Sequence, residues 1–172
     1  MPSRLISPPN YLEKIDAPVI FLAGPIQGAY DWQKDAIQII SSKAPELYIA
    51  SPRRQNKNKG EFMPQMYNEQ VDWETYHLRK AGENGVILFW LAKEFEHRCD
   101  RAYAQTTRFE LSEWKIRHER DGVNIVVGIE DGYSGSKYIL RRFSQDCPDV
   151  PITKTLEDTC CEAIKLLNIQ EY

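Results

Sequence analysis

An α/β fold built on a parallel sheet of about five strands, with helices on both faces, is predicted by three observations. Short apolar runs rich in β-branched and aromatic residues alternate along the chain with helix-length stretches of mixed polarity. The longest run, Val86-Ile87-Leu88-Phe89-Trp90-Leu91, is apolar without interruption, as suits a strand covered on both sides. The resulting β-α-β-α order brings the chain back to the same sheet edge at each crossover, which demands parallel pairing. At 172 residues the chain suits one domain over 1–172 with a real core. Residues 1–16 read as a lead-in segment, because Pro8-Pro9 opposes regular structure.

Strands are expected at 19–23, 47–51, 86–91 and 124–129, with a weak fifth at 151–155. Asp31 caps a first helix that runs to residue 44, its apolar stripe being Ala36, Ile37 and Ile40, and Pro45 stops it. Further helices are expected over 68–82, 106–122 and 156–168, with a short helical turn at 139–143. The connections 52–67 and 92–105 are long and polar. Both leave the carboxyl edge of the sheet, where open α/β folds hold ligands, and loops of that length are often lids or binding loops.

Composition narrows the function. Twenty-two basic against 25 acidic residues leave a formal charge of −3, so a polyanion-binding surface, and with it polymeric nucleic acid, is not expected. There is neither an apolar run of about 18 residues nor a basic-then-apolar leader, so no membrane partner is expected. Cys99, Cys147, Cys160 and Cys161 show no C-x-x-C spacing and read as reduced thiols of a cytoplasmic protein. His97-x-Cys99-Asp100 invites a metal, but no second His/Cys pair stands at ligand spacing. Neither the dinucleotide G-x-G-x-x-G nor the phosphate loop G-x-x-x-x-G-K-[ST] occurs. No metal and no cofactor are expected.

Two segments aim chemistry at the same crevice. After the strand at 19–23 comes Gly24-Pro25-Ile26-Gln27, where a missing Cβ permits a sharp turn and close ligand approach. After the strand at 86–91, Thr106-Thr107-Arg108-Phe109-Glu110 opens a helix, with Thr106 or Thr107 as its cap. There the free N–H groups and the helix dipole favour an ionised Glu110, able to attack an anomeric carbon. A surface glutamate would serve the same helix end, and Glu113 lies one turn further on.

The combination of F-L-A-G-P-I (21–26), S-P-R-R (51–54), Val71-Asp72-Trp73-Glu74, the Phe89-Trp90 strand end and T-R-F-E-L (107–111) resembles the nucleoside 2-deoxyribosyltransferase family. It is similar in particular to a branch of small bacterial proteins with a G-P-I turn and a T-R-F-E-L helix start. The resemblance covers most of residues 18–135. It implies a flavodoxin-like fold, and transfer of 2-deoxyribose from one nucleobase to another through a glutamate-bound sugar. It makes Glu110 the nucleophile and sets Gly24, Pro25, Ile26 and Gln27 against base or sugar. Better-known members carry an aspartate shortly before the nucleophile that helps to protonate the departing base. Ala104-Gln105-Thr106-Thr107 offers no acid, which leaves Asp72 and Asp100 as candidates.

Trp73 and His77 share a helix face at i and i+4, and a loose alignment sets His77 opposite an acidic sugar contact of the family. Arg53, with Arg54, suits a base, a phosphate or a carboxylate of a second subunit. Phe109 and the loop aromatics Phe62, Tyr67 and Phe95 are apolar surfaces on which a base could stack. The stretch from Gly128 to Gly135, and Tyr172, are candidate contributions to a neighbouring subunit. The expected partners are 2′-deoxynucleosides, free nucleobases and further copies of the chain, with sites near subunit interfaces. Hydrolysis of a nucleoside or 5′-nucleotide by the same glutamate is the nearest alternative. A nucleoside- or nucleotide-sensing module without catalysis is the other.

Overall fold

The computed structural model describes residues 4–54 and 64–167. Six strands form one sheet in the order β1-β3-β2-β4-β5-β6, every neighbouring pair parallel. They are β1 (Arg4–Ile6), β2 (Val19–Ala23), β3 (Tyr48–Ala50), β4 (Gly85–Leu91), β5 (Ile125–Ile129) and β6 (Ile152–Thr153). The helices are α1 (Trp32–Lys43), α2 (Pro64–Glu83), α3 (Gln105–Asp121), α4 (Ser136–Asp146) and α5 (Leu156–Leu166). Without the β1 edge, the order is the flavodoxin-like one, and its direction reverses between β2 and β4.

Alternation along the strands divides the core into two layers. Phe21, Ala23, Ile87, Phe89, Leu91, Ile125 and Val127 face α2, α3 and α4, whose Trp73, Leu78, Ala81, Leu111, Trp114 and Phe143 complete that layer. Ile20, Leu22, Val86, Leu88, Trp90 and Val126 face α1 and α5 through Trp32, Ala36, Ile40, Cys160, Ala163 and Ile164. Both faces of the central strands are thereby buried, so they need apolar residues at every position. At Gly128 a side chain would strike the ring of Trp90 and the hydroxyl of Thr159 on α5, which is why this one position of β5 is bare.

Four expectations change. A sixth strand, β1, lies inside the lead-in segment, pairing Leu5 with Ile49; three residues ahead of Pro8-Pro9 are too few to show a period. Helix α2 begins at Pro64, so the expected connection 52–67 is helical in its last part. The turn at 139–143 is a full helix, α4. Helix α3 begins at Gln105, and its N-cap is Ala104 in the left-handed region (φ 55°) with no side-chain cap. Thr106 and Thr107 therefore lie within the first turn and cap nothing.

The rest of the lead-in is strapped to α2. The Trp73 Nε1–H donates to the Asn10 carbonyl (2.6 Å) and the Tyr76 hydroxyl to that of Leu12 (2.9 Å). His77 Nδ1 lies 2.8 Å from the Trp73 carbonyl, which can only accept, so Nδ1 carries the proton. Its Nε2 lone pair then accepts the Leu12 N–H at 3.2 Å. Burial pushes the His77 pKa below its ordinary value of 6.5, since an imidazolium there would lose solvation and the Leu12 bond together.

His77 thus favours folding in its neutral form. That contribution is complete above the ordinary histidine pKa and is lost as pH falls through the lowered value. Acidification below pH 6.5 should loosen residues 7–16, seen as faster hydrogen exchange at the Leu12 amide. In His77→Leu this acid-dependent step disappears, and the orphaned Leu12 N–H costs about 1–3 kcal/mol at neutral pH.

Candidate functional site

The strand order reverses between β2 and β4, and open α/β sheets hold ligands outside the carboxyl ends of the strands at such a point. On the β2 side, Gly24 lies outside the left-handed region. Its missing side chain makes room for protein: a Cβ would collide with the Trp90 carbonyl and the Trp32 ring. The space is not open to a ligand, contrary to expectation. Trp32 Nε1–H donates to the Pro25 carbonyl at 2.8 Å and fastens the turn. Pro25 is buried and Ile26 half-buried, while Gln27 is exposed.

Beyond them Gly28 adopts φ 82°, and its carbonyl accepts the N–H groups of Phe95 (2.8 Å) and Glu96 (3.1 Å). The Tyr103 hydroxyl donates to the Ala92 carbonyl at 2.7 Å. The Gly28 bonds join the β2 turn to the loop that leaves β4, and the Tyr103 bond closes that loop on itself. Arg108 fastens the next loop, donating to the Tyr133 hydroxyl (3.2 Å) and the Ser134 carbonyl (3.1 Å). The 128–135 stretch is thus engaged within the chain.

Glu110 stands half-buried in the second turn of α3. Burial pushes its pKa up to about 8, helped by repulsion from Glu74 on α2 and Glu113 on its own helix. The expectation of an ionised side chain is overturned for the ligand-free protein. The helix starts at Gln105, so Glu110 lies past the free N–H groups of the first turn. Desolvation and a like charge then prevail over the dipole. Glu74 is half-buried as well, and burial raises its pKa in turn, opposed by a hydrogen bond from Gln70. Burial thus raises both carboxyl groups, and the Glu74 charge further disfavours a charge on Glu110.

Glu74 is the functional candidate that sequence reasoning passed over. Asp72, nominated in its place, is two residues away, about 200° around the helix. It lines an exposed hollow with Thr75, Tyr76, Arg79 and Glu83. Asp100 is exposed and paired with Arg98 at 3.2 Å. Trp73 and His77 do share a face, but both are fully buried and their polar atoms serve the strap described above. Glu74 stands in the Val71-Asp72-Trp73-Glu74 segment of the resemblance, and the placement of α2 and α3 on one face of the sheet singles it out from Asp72.

Arg53 donates through Nε to Gln33 (3.1 Å) and pairs with Asp31 (3.0 Å). Among the described residues, its Nη2 and the Gln33 Nε2 are buried without partners. Arg54 is tied to α2 through Gln70 (2.9 Å) and Glu69 (3.0 Å). Phe109 is 75% exposed, and Tyr67 and Phe95 are exposed too. Phe62 and Tyr172 lie outside the described residues. Among the described residues no three His, Cys, Asp or Glu side chains gather to hold a metal ion, and no helix is long and apolar enough to cross a membrane.

Residues 17–133 match a family model described as nucleoside 2-deoxyribosyltransferase like. No curated protein matches the chain.

A carboxyl group whose pKa rises on folding favours the folded state only while protonated. The Glu110 contribution is whole below its unfolded value near 4.5 and is lost as pH rises through about 8. Glu110→Gln should therefore be more stable than the parent at pH 8–9, by about 1–3 kcal/mol after allowance for residual solvent screening. At pH 4–5 the two should melt together. Thermal unfolding across that range checks this, and equal stability at pH 9 would contradict the burial of the charge.

Proposed function

Because the chain belongs to the nucleoside 2-deoxyribosyltransferase-like family, we propose that it exchanges the nucleobase of 2′-deoxynucleosides through a deoxyribosyl ester of Glu110. The observation that carries this reading is the coupling of Glu110 to Glu74. The reaction needs one carboxylate to attack and one carboxylic acid to protonate the leaving base, and two carboxyl groups whose charges repel are suited to divide those roles.

In the first half-reaction an ionised Glu110 oxygen bonds to C1′ as the C1′–N bond breaks. The electron pair of that bond goes to the base nitrogen, and the Glu74 proton neutralises the departing base. In the second, a nitrogen of the incoming base attacks C1′, the ester carboxylate leaves, and the incoming base returns a proton to Glu74. Two inversions give net retention. At rest the proton belongs on Glu110, whose pKa is pushed up to about 8. Positive charge developing at C1′ favours the Glu110 anion and so shifts the proton to Glu74. A 2′-hydroxyl would withdraw electrons from that cation, which favours the 2′-deoxy sugar.

Gln27, exposed at the tip of the β2 turn, supports hydrogen bonding to a base. The Asp31 carboxylate 3.0 Å from Arg53 disfavours a phosphate there. Phe109 and Ile116, exposed at i and i+7 on α3, offer an apolar stripe beside the site for a second copy of the chain. The proposed compartment is the cytoplasm.

The test is incubation with a 2′-deoxynucleoside and a different free base. Formation of the exchanged nucleoside is the expected result. Release of deoxyribose alone would make the protein a hydrolase, and binding without turnover would make it a sensor. Glu110→Gln should lower exchange about a thousandfold or more. Glu74→Gln should cost about a hundredfold or more, most severely for bases that leave poorly.

A further inference from the structure

Glu74 is held by a chain of hydrogen bonds that begins at the end of β3. Arg54 donates from Nε to Gln70 Oε1 at 2.9 Å. The two protons of Gln70 Nε2 go to the Pro52 carbonyl and to Glu74 Oε1, each at 2.8 Å. Arg54 is itself steadied by Glu69 at 3.0 Å. The amide has one sensible orientation. Reversed, its oxygen would face a carbonyl and a carboxylate, and its NH₂ would face a guanidinium.

We propose that Gln70 is a positioning residue that presents Glu74 to the leaving base, with Arg54 and the Pro52 carbonyl fixing the direction of its amide. With Oε1 occupied as an acceptor, a proton that reaches Glu74 is confined to Oε2, so the donor atom is defined before the base departs. The same bond stabilises the Glu74 anion, which makes the protonated side chain a readier donor. An i,i+4 glutamine–glutamate pair on an exposed helix would contribute only tenths of a kilocalorie per mole to helix stability. Here the glutamine is instead tied at its far end to the segment leaving β3, and its partner is half-buried.

Among the described residues, the charged groups around this pair are few. Arg54 and Glu69 stand behind Gln70. From α3, Glu110 faces Glu74, and Glu113 is engaged by Arg117 at 2.8 Å. The catalytic meaning of this role rests on the function proposed above, but the hydrogen-bond chain does not.

Two measurements on Gln70→Met, which keeps length and removes both donors, separate the issues. Carbon-13 NMR titration of the glutamate carboxyls in the ligand-free protein should show the Glu74 titration moved to higher pH. Arg54→Met, which frees the amide to turn, should move it the same way by less. In base exchange, Gln70→Met should lower kcat by about 10–100-fold with KM little changed, and should shift the alkaline limb of the pH profile upward. Gln70→Glu, which in its protonated form regains one donor, should recover part of the loss only at acidic pH. An unmoved Glu74 titration overturns the proposal whatever the activity. A moved titration in a protein without exchange activity keeps the hydrogen-bond chain and refutes the deoxyribosyl transfer.

Discussion

Two carboxyl groups, Glu74 and Glu110, are half-buried on neighbouring helices, and burial raises the pKa of each, with repulsion from Glu74 adding to the rise at Glu110. Folding accepts this cost because the helices that bear them are fixed by much larger forces. Helices α2 and α3 follow β3 and β4, which flank β2 in the sheet, and lie on the same face, where Trp73, Ala81, Leu111 and Trp114 bury against β2, β4 and β5. Each large apolar side chain buried there contributes about 1.5–3 kcal/mol, so the repulsion of one charged pair is easily borne. A destabilised pair anchored on a rigid scaffold is a common arrangement in catalytic sites.

The edge of the crevice is braced by the same economy of means. Trp32 holds the Pro25 carbonyl, the Gly28 carbonyl receives two N–H groups from the loop after β4, and Arg108 secures the loop after β5. The first bond ties the β2 turn to α1, and the others tie the turn to the loop after β4 and α3 to the loop after β5. Rigid walls around a site reduce the ordering cost of binding. The lead-in strap of Asn10, Leu12 and His77 does the same for the back of α2, steadying the helix that carries Glu74.

Strands β2, β4 and β5 were legible because burial on both faces demands apolar residues throughout, a signal that needs no partner to interpret. β1 was not, since three residues beside prolines take their strand character from pairing with β3. Helix α4 was half legible: only Phe143 among its residues is buried, too little for a full period. Glu110 stood out through the T-R-F-E-L motif, whereas its protonation did not, because desolvation is a property of assembled neighbours. Trp73 and His77 were rightly placed on one helix face. That face turns toward Asn10 and Leu12, contacts more than 60 residues distant in sequence and invisible to helical spacing. Asp72 and Glu74 differ by two positions, and only the packing of α2 beside α3 tells which one meets Glu110.

The central claim is that an oxygen of Glu110 becomes transiently bonded to C1′. Intact-mass and peptide mass spectrometry of the protein, quenched in acid after mixing with a 2′-deoxynucleoside and no acceptor base, tests it directly. The account predicts a single deoxyribosyl adduct on the peptide bearing Glu110, discharged when a free base is added. An adduct on another side chain, or turnover of the nucleoside with no adduct at any time, would contradict it.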